Sequence, residues 1–230
     1  MKKKILQSPF FEVGVKNYFY GKRLLEIALA ADRASEMYDV DVLMILPCVD
    51  LRYIAERTTR LKLIASHMDG IRPGRGTAAV LPEALAEAGA YGAMLNHCER
   101  PMTSEEVAQA ITRAKEVGLI SLVCADTVDQ AKELAVYDPE IVCPEPPELI
   151  GGSVCVSLDY VKQSTQAIRE VNPSVLVEQA AGIRTPEQVY DFIMAGAQGV
   201  GSSSGICLAE DPCEMLERMV CSVRRALDEK

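Results

Sequence analysis

Only two histidines occur in the chain, and one of them, His97, stands in a polar cluster, Asn96-His97-Cys98-Glu99-Arg100, directly after an apolar run. A histidine in such a place can act as acid, base or hydrogen-bond donor near neutral pH, although a lone histidine is more often structural. Glu145 lies between Pro144 and Pro146, whose rings fix the local backbone, and Pro147, Glu148, Leu149, Ile150, Gly151 and Gly152 follow it. Leu149 and Ile150 are apolar in what reads as a loop. A lid that closes over a site would explain them, with the glycines as hinges; a loop packed permanently on its surroundings is the alternative. Lys16 follows a Phe-Phe-Glu-Val segment, and a solvated surface lysine is the plain reading of it. Two further stretches, Ala180-Ala181-Gly182-Ile183 and Gly201-Ser202-Ser203-Ser204-Gly205, are small and glycine-bearing, so their backbone N–H groups are open to an anion.

These residues need a frame, and the chain supplies a regular one. Short apolar runs alternate about eight times with longer amphipathic ones. Strands are expected within Ile5–Val13 and at Val40–Leu46, Leu61–His67, Ala93–Asn96, Leu119–Cys124, Ile141–Cys143, Val175–Glu178 and Gln198–Gly201. Helices are expected at Gly21–Tyr38, Leu51–Arg57 behind an Asp50 cap, Val80–Ala88, from a Thr103/Glu106 capping box to Val117, and at Val128–Val136, Ser157–Val171, Thr185–Met194 and Asp211–Lys230. Gly70–Ala79, with three glycines and a proline, and Pro144–Ser153 read as loops.

The strands lack polar alternation, as sheets buried on both faces require. Helical connections of this length imply parallel pairing through right-handed crossovers. No glycine-rich fingerprint follows the first strand, which argues against an open dinucleotide-binding sheet. The expected fold is therefore an α/β class (β/α)8 barrel, with residues 1–230 forming one domain. In that fold catalytic groups sit at the C-terminal strand ends, and the loops after the seventh and eighth strands commonly hold phosphate. Lys16, His97, Glu145 and both small-residue stretches fall at such positions.

Composition sets the outer limits. Apolar residues make up 49% and charged residues 25%, which is ordinary globular usage rather than disorder. A formal net charge of −9 argues against nucleic acid or an anionic membrane as partner, while leaving room for a small anionic substrate. The eight cysteines are scattered with no C-x-x-C pair, and the expectation is free thiols in a reducing cytosol and no metal site. No signal-peptide pattern and no membrane-length apolar run is visible, so a cytoplasmic location is expected.

The motifs resemble the triosephosphate isomerase family, in particular its short archaeal-type branch, over nearly the whole chain. Val13–Tyr18 is similar to the family's Val-Asn-Phe-Lys-Thr-Tyr, Asn96–Glu99 to Asn-His-Ser-Glu, and Glu145–Gly151 matches the branch's Glu-Pro-Pro-Glu-Leu-Ile-Gly. The resemblance implies an isomerase that interconverts dihydroxyacetone phosphate and glyceraldehyde 3-phosphate through an enediolate. It implies Lys16, His97, Glu99 and Glu145 as the catalytic group, with Glu145 as base and His97 as electrophile. Gly151, Gly152, Ala181, Gly182, Ser203, Ser204 and Gly205 would bind the phosphate, and Pro146, Pro147, Glu148, Leu149 and Ile150 would form the lid. Arg72–Leu81 resembles the loop that reaches into a neighbouring subunit, with Thr77 at its tip, so a homodimer or homotetramer is implied.

Four departures surround the expected site. Gly14 stands where the family has Asn, Cys98 replaces Ser, the lid ends Gly151-Gly152-Ser153 rather than Gly-Thr-Gly, and Ala180 replaces Gly. They raise two alternatives: an isomerase of another short sugar phosphate, such as a tetrulose phosphate, or a non-catalytic phosphosugar-binding paralogue. Cys98 is the first thiol to consider for oxidation.

Overall fold

A computed structural model describes residues 6–152 and 154–230. Eight parallel strands close into one barrel, in which each strand pairs with its sequence neighbours and β8 returns to β1. In chain order the elements are β1 (Phe10–Gly14), α1 (Gly21–Tyr38), β2 (Val42–Leu46), α2 (Leu51–Ala55), β3 (Lys62–Ala65), α3 (Pro82–Glu87), β4 (Gly92–Leu95), α4 (Ser104–Val117), β5 (Ile120–Ala125), α5 (Val128–Ala135), β6 (Ile141–Pro144), α6 (Leu158–Val171), β7 (Leu176–Gln179), α7 (Pro186–Met194), β8 (Gly199–Ser202), α8 (Ser204–Cys207) and α9 (Pro212–Asp228).

Two apolar clusters follow from the alternation of side chains across each strand. Phe11, Val13, Val42, Met44, Val123, Val142, Val177 and Val200 face outward and meet the helices in one large core. Phe10, Leu43, Ile45, Ile64, Ile120, Leu122 and Ile141 fill the barrel interior. The barrel is thus a packed body with chemistry possible only at its mouths.

Local signals set most helix starts. Thr103 and Glu106 form the expected reciprocal capping box, and Thr185 with Gln188 forms another. Ser157 and Asp211 cap α6 and α9, so these helices begin one residue after the sequence expectation. Asp50 does not cap α2. It lies in a 3-10 turn at Cys48–Asp50, and its carboxylate accepts from the Gly21 N–H at the start of α1 instead. The first-strand expectation began at Ile5, which lies outside the described residues, as do Met1–Lys4; the strand itself starts at Phe10.

The 70–79 loop is exposed along 72–78, but its base is pinned. Asp69 N–H donates to the Val80 carbonyl, and the Asp69 carboxylate accepts from the Val80 N–H in return. Arg113 reaches across to the Ile71 carbonyl and pairs with Glu83 and Glu116. Thr77 stands exposed on a loop with a fixed stem.

Candidate active site

The strand ends bring Lys16, His97 and Glu145 to one cavity of about 290 Å³ at the C-terminal mouth of the barrel, together with Gly151, Ala181, Gly182, Ser203 and Ser204. Each arrives by a local device. Lys16 has a left-handed backbone (φ 44°), which turns the chain out of β1. Asn96 is also left-handed (φ 57°), a conformation asparagine tolerates. Its side chain is held at both ends, accepting from Met102 N–H at 2.9 Å and donating to the Cys124 carbonyl at 3.0 Å. That clamp fixes the take-off of His97 from β4. Glu145 leaves β6 with its N–H bonded to the Ala125 carbonyl at 2.8 Å.

His97 Nδ1 accepts a hydrogen bond from the Glu99 N–H at 3.0 Å. The ring can accept there only as neutral imidazole, so its proton resides on Nε2. Burial holds the His97 pKa below the usual histidine value, and the Lys16 charge adds to this. The protonated Nε2 lies 3.7 Å from Glu145 Oε2, beyond hydrogen-bond reach, so the donor is not tied to the carboxylate. The Glu145 carboxyl is pushed up to about 7 by burial, against the opposing pull of Lys16 and the Ala181 backbone. It therefore changes protonation state near neutrality, where a base must.

Glu99 is different. It is largely exposed, pairs with Lys16 Nζ at 2.5 Å, and is held below the usual carboxylate range by that bond. It remains ionised and anchors the lysine, so its geometry is that of a positioning group. Cys98 Sγ approaches His97 Nδ1 at 3.9 Å, but burial and the surrounding carboxylates push its thiol up, which lowers its reactivity.

On the other side of the mouth, Ala181 (φ 63°) and Gly182 (φ 74°) turn the chain after β7. A side chain at 182 is excluded, since a Cβ would lie 2.0 Å from the Val154 carbonyl oxygen. Ser202 Oγ donates to the Ile183 carbonyl at 2.7 Å and ties this loop to the next. The backbone N–H groups of Ser204 and Gly205 open the short helix α8, outside its own hydrogen-bond ladder. The Pro146–Gly152 segment carries a 3-10 turn at Pro147–Leu149. Leu149 packs on the outer core, Ile150 lines the cavity, and the Gly152 carbonyl accepts from Arg184. Gly151 is left-handed with open space around it, and Ser153, the last residue of the expected lid end, lies outside the described residues.

The model of the triosephosphate isomerase family matches residues 14–200. The chain belongs to that family. Among similar curated proteins are the triosephosphate isomerases of Sulfurisphaera tokodaii (33% identity over 98% of this chain and 100% of the relative) and Metallosphaera sedula (34%, 98% and 100%). That of Methanothermus fervidus is 34% identical over 94% of this chain and 99% of its own length. These are archaeal proteins, in keeping with the short-branch resemblance. A solved triosephosphate isomerase from Bartonella henselae superposes with a TM-score of 0.76 at 15% identity, covering 94% of this chain and 99% of the other, a likeness of fold.

Two residues of this triosephosphate isomerase-family site escaped sequence reasoning. Glu12 and Glu178 project from β1 and β7 into the barrel interior and line the cavity below Glu145. Both are almost wholly buried. The signal for Glu12 was present, since a charged residue in a strand buried on both faces demands a reason. The second histidine, His67, also lines the cavity, with Nε2 3.0 Å from Asp69 Oδ1. Ala180, the Gly-to-Ala departure, turns its methyl toward the interior cluster.

Burial raises the Glu178 carboxyl to about 8, and neighbouring Glu145 adds to the shift. A carboxyl whose folded pKa lies above its unfolded value favours the fold fully below the unfolded pKa, and that contribution is lost as pH rises through the folded one. Wild-type stability should therefore fall between about pH 5 and pH 9, and Glu178→Gln should flatten the decline. Chemical denaturation at both pH values checks this; equal declines in the two proteins would refute the buried-carboxyl account.

Proposed function

We propose that the protein interconverts dihydroxyacetone phosphate and glyceraldehyde 3-phosphate, with Glu145 as the proton-transfer base. The observation that carries this reading is the pairing of a buried carboxyl that titrates at about 7 with a neutral imidazole whose Nε2–H lies 3.7 Å away. The same pairing of a carboxylate base with a neutral histidine is the mark of the triosephosphate isomerase family.

In this reading the carbonyl oxygen of the substrate accepts from His97 Nε2–H, and the ionised Glu145 removes a proton from the adjacent carbon. The electron pair moves onto oxygen to give the enediolate, stabilised by His97 and by the Lys16 ammonium. The hydroxyl proton of the enediolate passes to the other oxygen by way of His97 Nε2, and Glu145 returns a proton to the neighbouring carbon, which leaves the new carbonyl where the hydroxyl was. Acid, base and oxyanion donor are all side chains of this protein, so the steps need no cofactor. Glu99 holds Lys16 in position. The loops at Ala181–Gly182 and Ser203–Gly205, with Gly151 and Gly152, bind the phosphate through backbone N–H groups. Residues Pro146–Ile150 serve as the lid, keeping water from the enediolate and guarding against phosphate loss.

Residues 1–230 act as one barrel domain. The pinned loop carrying exposed Thr77 suits a homodimer or homotetramer, as the family resemblance implies. A reducing, cytoplasmic setting suits eight free cysteines and a phosphorylated sugar as substrate.

Glu145→Gln should lower kcat on glyceraldehyde 3-phosphate on the order of 10³-fold in a coupled assay. In the unmodified protein kcat/KM should rise with pH through about 7 as Glu145 ionises; a flat profile, or a variant with full activity, would remove Glu145 from the role. Thr77→Arg should shift the light-scattering mass toward the monomer, and an unchanged mass would exclude this loop from the subunit interface.

A further inference from the structure

The floor of the active-site cavity is built around two carboxyls that the isomerase mechanism does not use. Glu12 and Glu178 lie on β1 and β7, the two neighbours of β8 in the ring. Between them β8 contributes Gly201, which pairs in register with Glu12. A Cβ at 201 would meet Glu12 Oε2 at 2.3 Å and Glu178 Oε1 at 2.7 Å, so both carboxyls reach into the space that only glycine leaves open. Gly14 does the same above: a Cβ there would stand 3.0 Å from Glu12 Oε1. The side chain missing at position 14 is thus answered by a carboxyl rising from two residues earlier in the strand.

Both groups are more than nine-tenths buried, and Glu12 Oε1 and Glu178 Oε2 have no hydrogen-bond partner. An unpartnered buried polar atom is costly and calls for a compensating group. The floor around them is otherwise apolar or weakly polar, with Ile45, Met94, Leu122 and the thiols of Cys124 and Cys143. Two such carboxyls cannot both carry charge at close quarters: burial, then Glu178 and Glu145, keep Glu12 well above the usual range, and burial with Glu145 raises Glu178 to about 8. Raised in this way, the pair retains protons near neutral pH and presents both O–H donors and acceptor oxygens. A phosphate dianion has no proton to give their acceptor oxygens, and among the described residues no cluster of three ligating side chains suits a metal ion. The matching partner is a neutral hydroxyl.

We propose that Glu12 and Glu178 form a hydroxyl-binding subsite on the cavity floor, which hydrogen-bonds an alcohol group of the phosphorylated sugar. The proposal rests on reading the cavity as a phosphosugar site, and it makes the pair a determinant of which sugar phosphates the enzyme prefers.

The test compares two probes, glycerol 3-phosphate and propyl phosphate, which share a phosphate and a three-carbon chain but differ in hydroxyl groups. Calorimetric affinities are measured for the unmodified protein, Glu12→Leu and Glu178→Leu. The preference for glycerol 3-phosphate should fall about tenfold in each Leu variant, with propyl phosphate affinity unchanged. A preference that stays within twofold overturns the subsite. Should the Leu variants fail to fold, infrared difference spectra of the Glu145→Gln protein serve instead. There the protonated-carboxyl stretch should shift on adding glycerol 3-phosphate and not propyl phosphate; the same response to both overturns the proposal. A lost preference in a protein whose unmodified form does not turn over glyceraldehyde 3-phosphate keeps the subsite and removes the isomerase reading. Turnover with an unchanged preference does the reverse.

Discussion

Everything in this protein depends on the closure of β1 onto β8. Phe10 to Val13 pair with Gly199 to Ser202 in parallel register, and this seam turns eight strands into a ring. A ring has no free edge, so each strand has a hydrogen-bonded neighbour on both sides. Closure also directs all eight C-terminal strand ends to one rim. Residues as distant in sequence as Lys16, His97, Glu145 and Ser204 thereby come to share one cavity. The glycines of β8 belong to the same constraint. A Cβ at Gly199 would overlap the Phe10 ring, so the bulk at the seam on one strand is matched by its absence on the other.

Within the cavity, burial sets protonation states more than charge pairing does. Lys16 forms its ion pair with the exposed Glu99 rather than with the buried carboxyls. Glu145 is left with burial as its largest influence and titrates near neutrality, and His97 is kept neutral by burial and by the same lysine. A direct Lys16–Glu145 salt bridge would lower the carboxyl and weaken it as a base. Spending the lysine on Glu99 therefore preserves both the orientation of the cation and the basicity of Glu145. Deeper in the barrel, burial raises Glu178 to about 8 and keeps Glu12 well above the usual carboxylate range.

Much of this was legible in the sequence, and the misses have physical causes. The helix α1 has the bounds its apolar stripe implied, and the Thr103/Glu106 box is formed as read, because capping and helical periodicity are local. Strand bounds shifted by a residue or two, since strands end where pairing with a neighbour ends, and that is a property of the barrel. The helix α8 was missed because four residues carry too little periodicity to register. Lys16, His97 and Glu145 were found through motif spacing, and their convergence follows from strand order. Glu12 and Glu178 were not found. Each is a single glutamate in an apolar run, and their meeting depends on β8 lying between β7 and β1 with glycine at 201, which only the closed ring reveals. The Asp50 cap failed because a 3-10 turn gave its carboxylate a better-placed donor at Gly21.

The central claim is that hydrogen moves as a proton through a side-chain base that exchanges with solvent. The most direct measurement is turnover of glyceraldehyde 3-phosphate in deuterium oxide, followed by proton magnetic resonance. The account predicts dihydroxyacetone phosphate carrying solvent deuterium on the carbon that receives the proton. Product carrying only the substrate's own hydrogen would contradict it and point to direct hydride transfer between the two carbons.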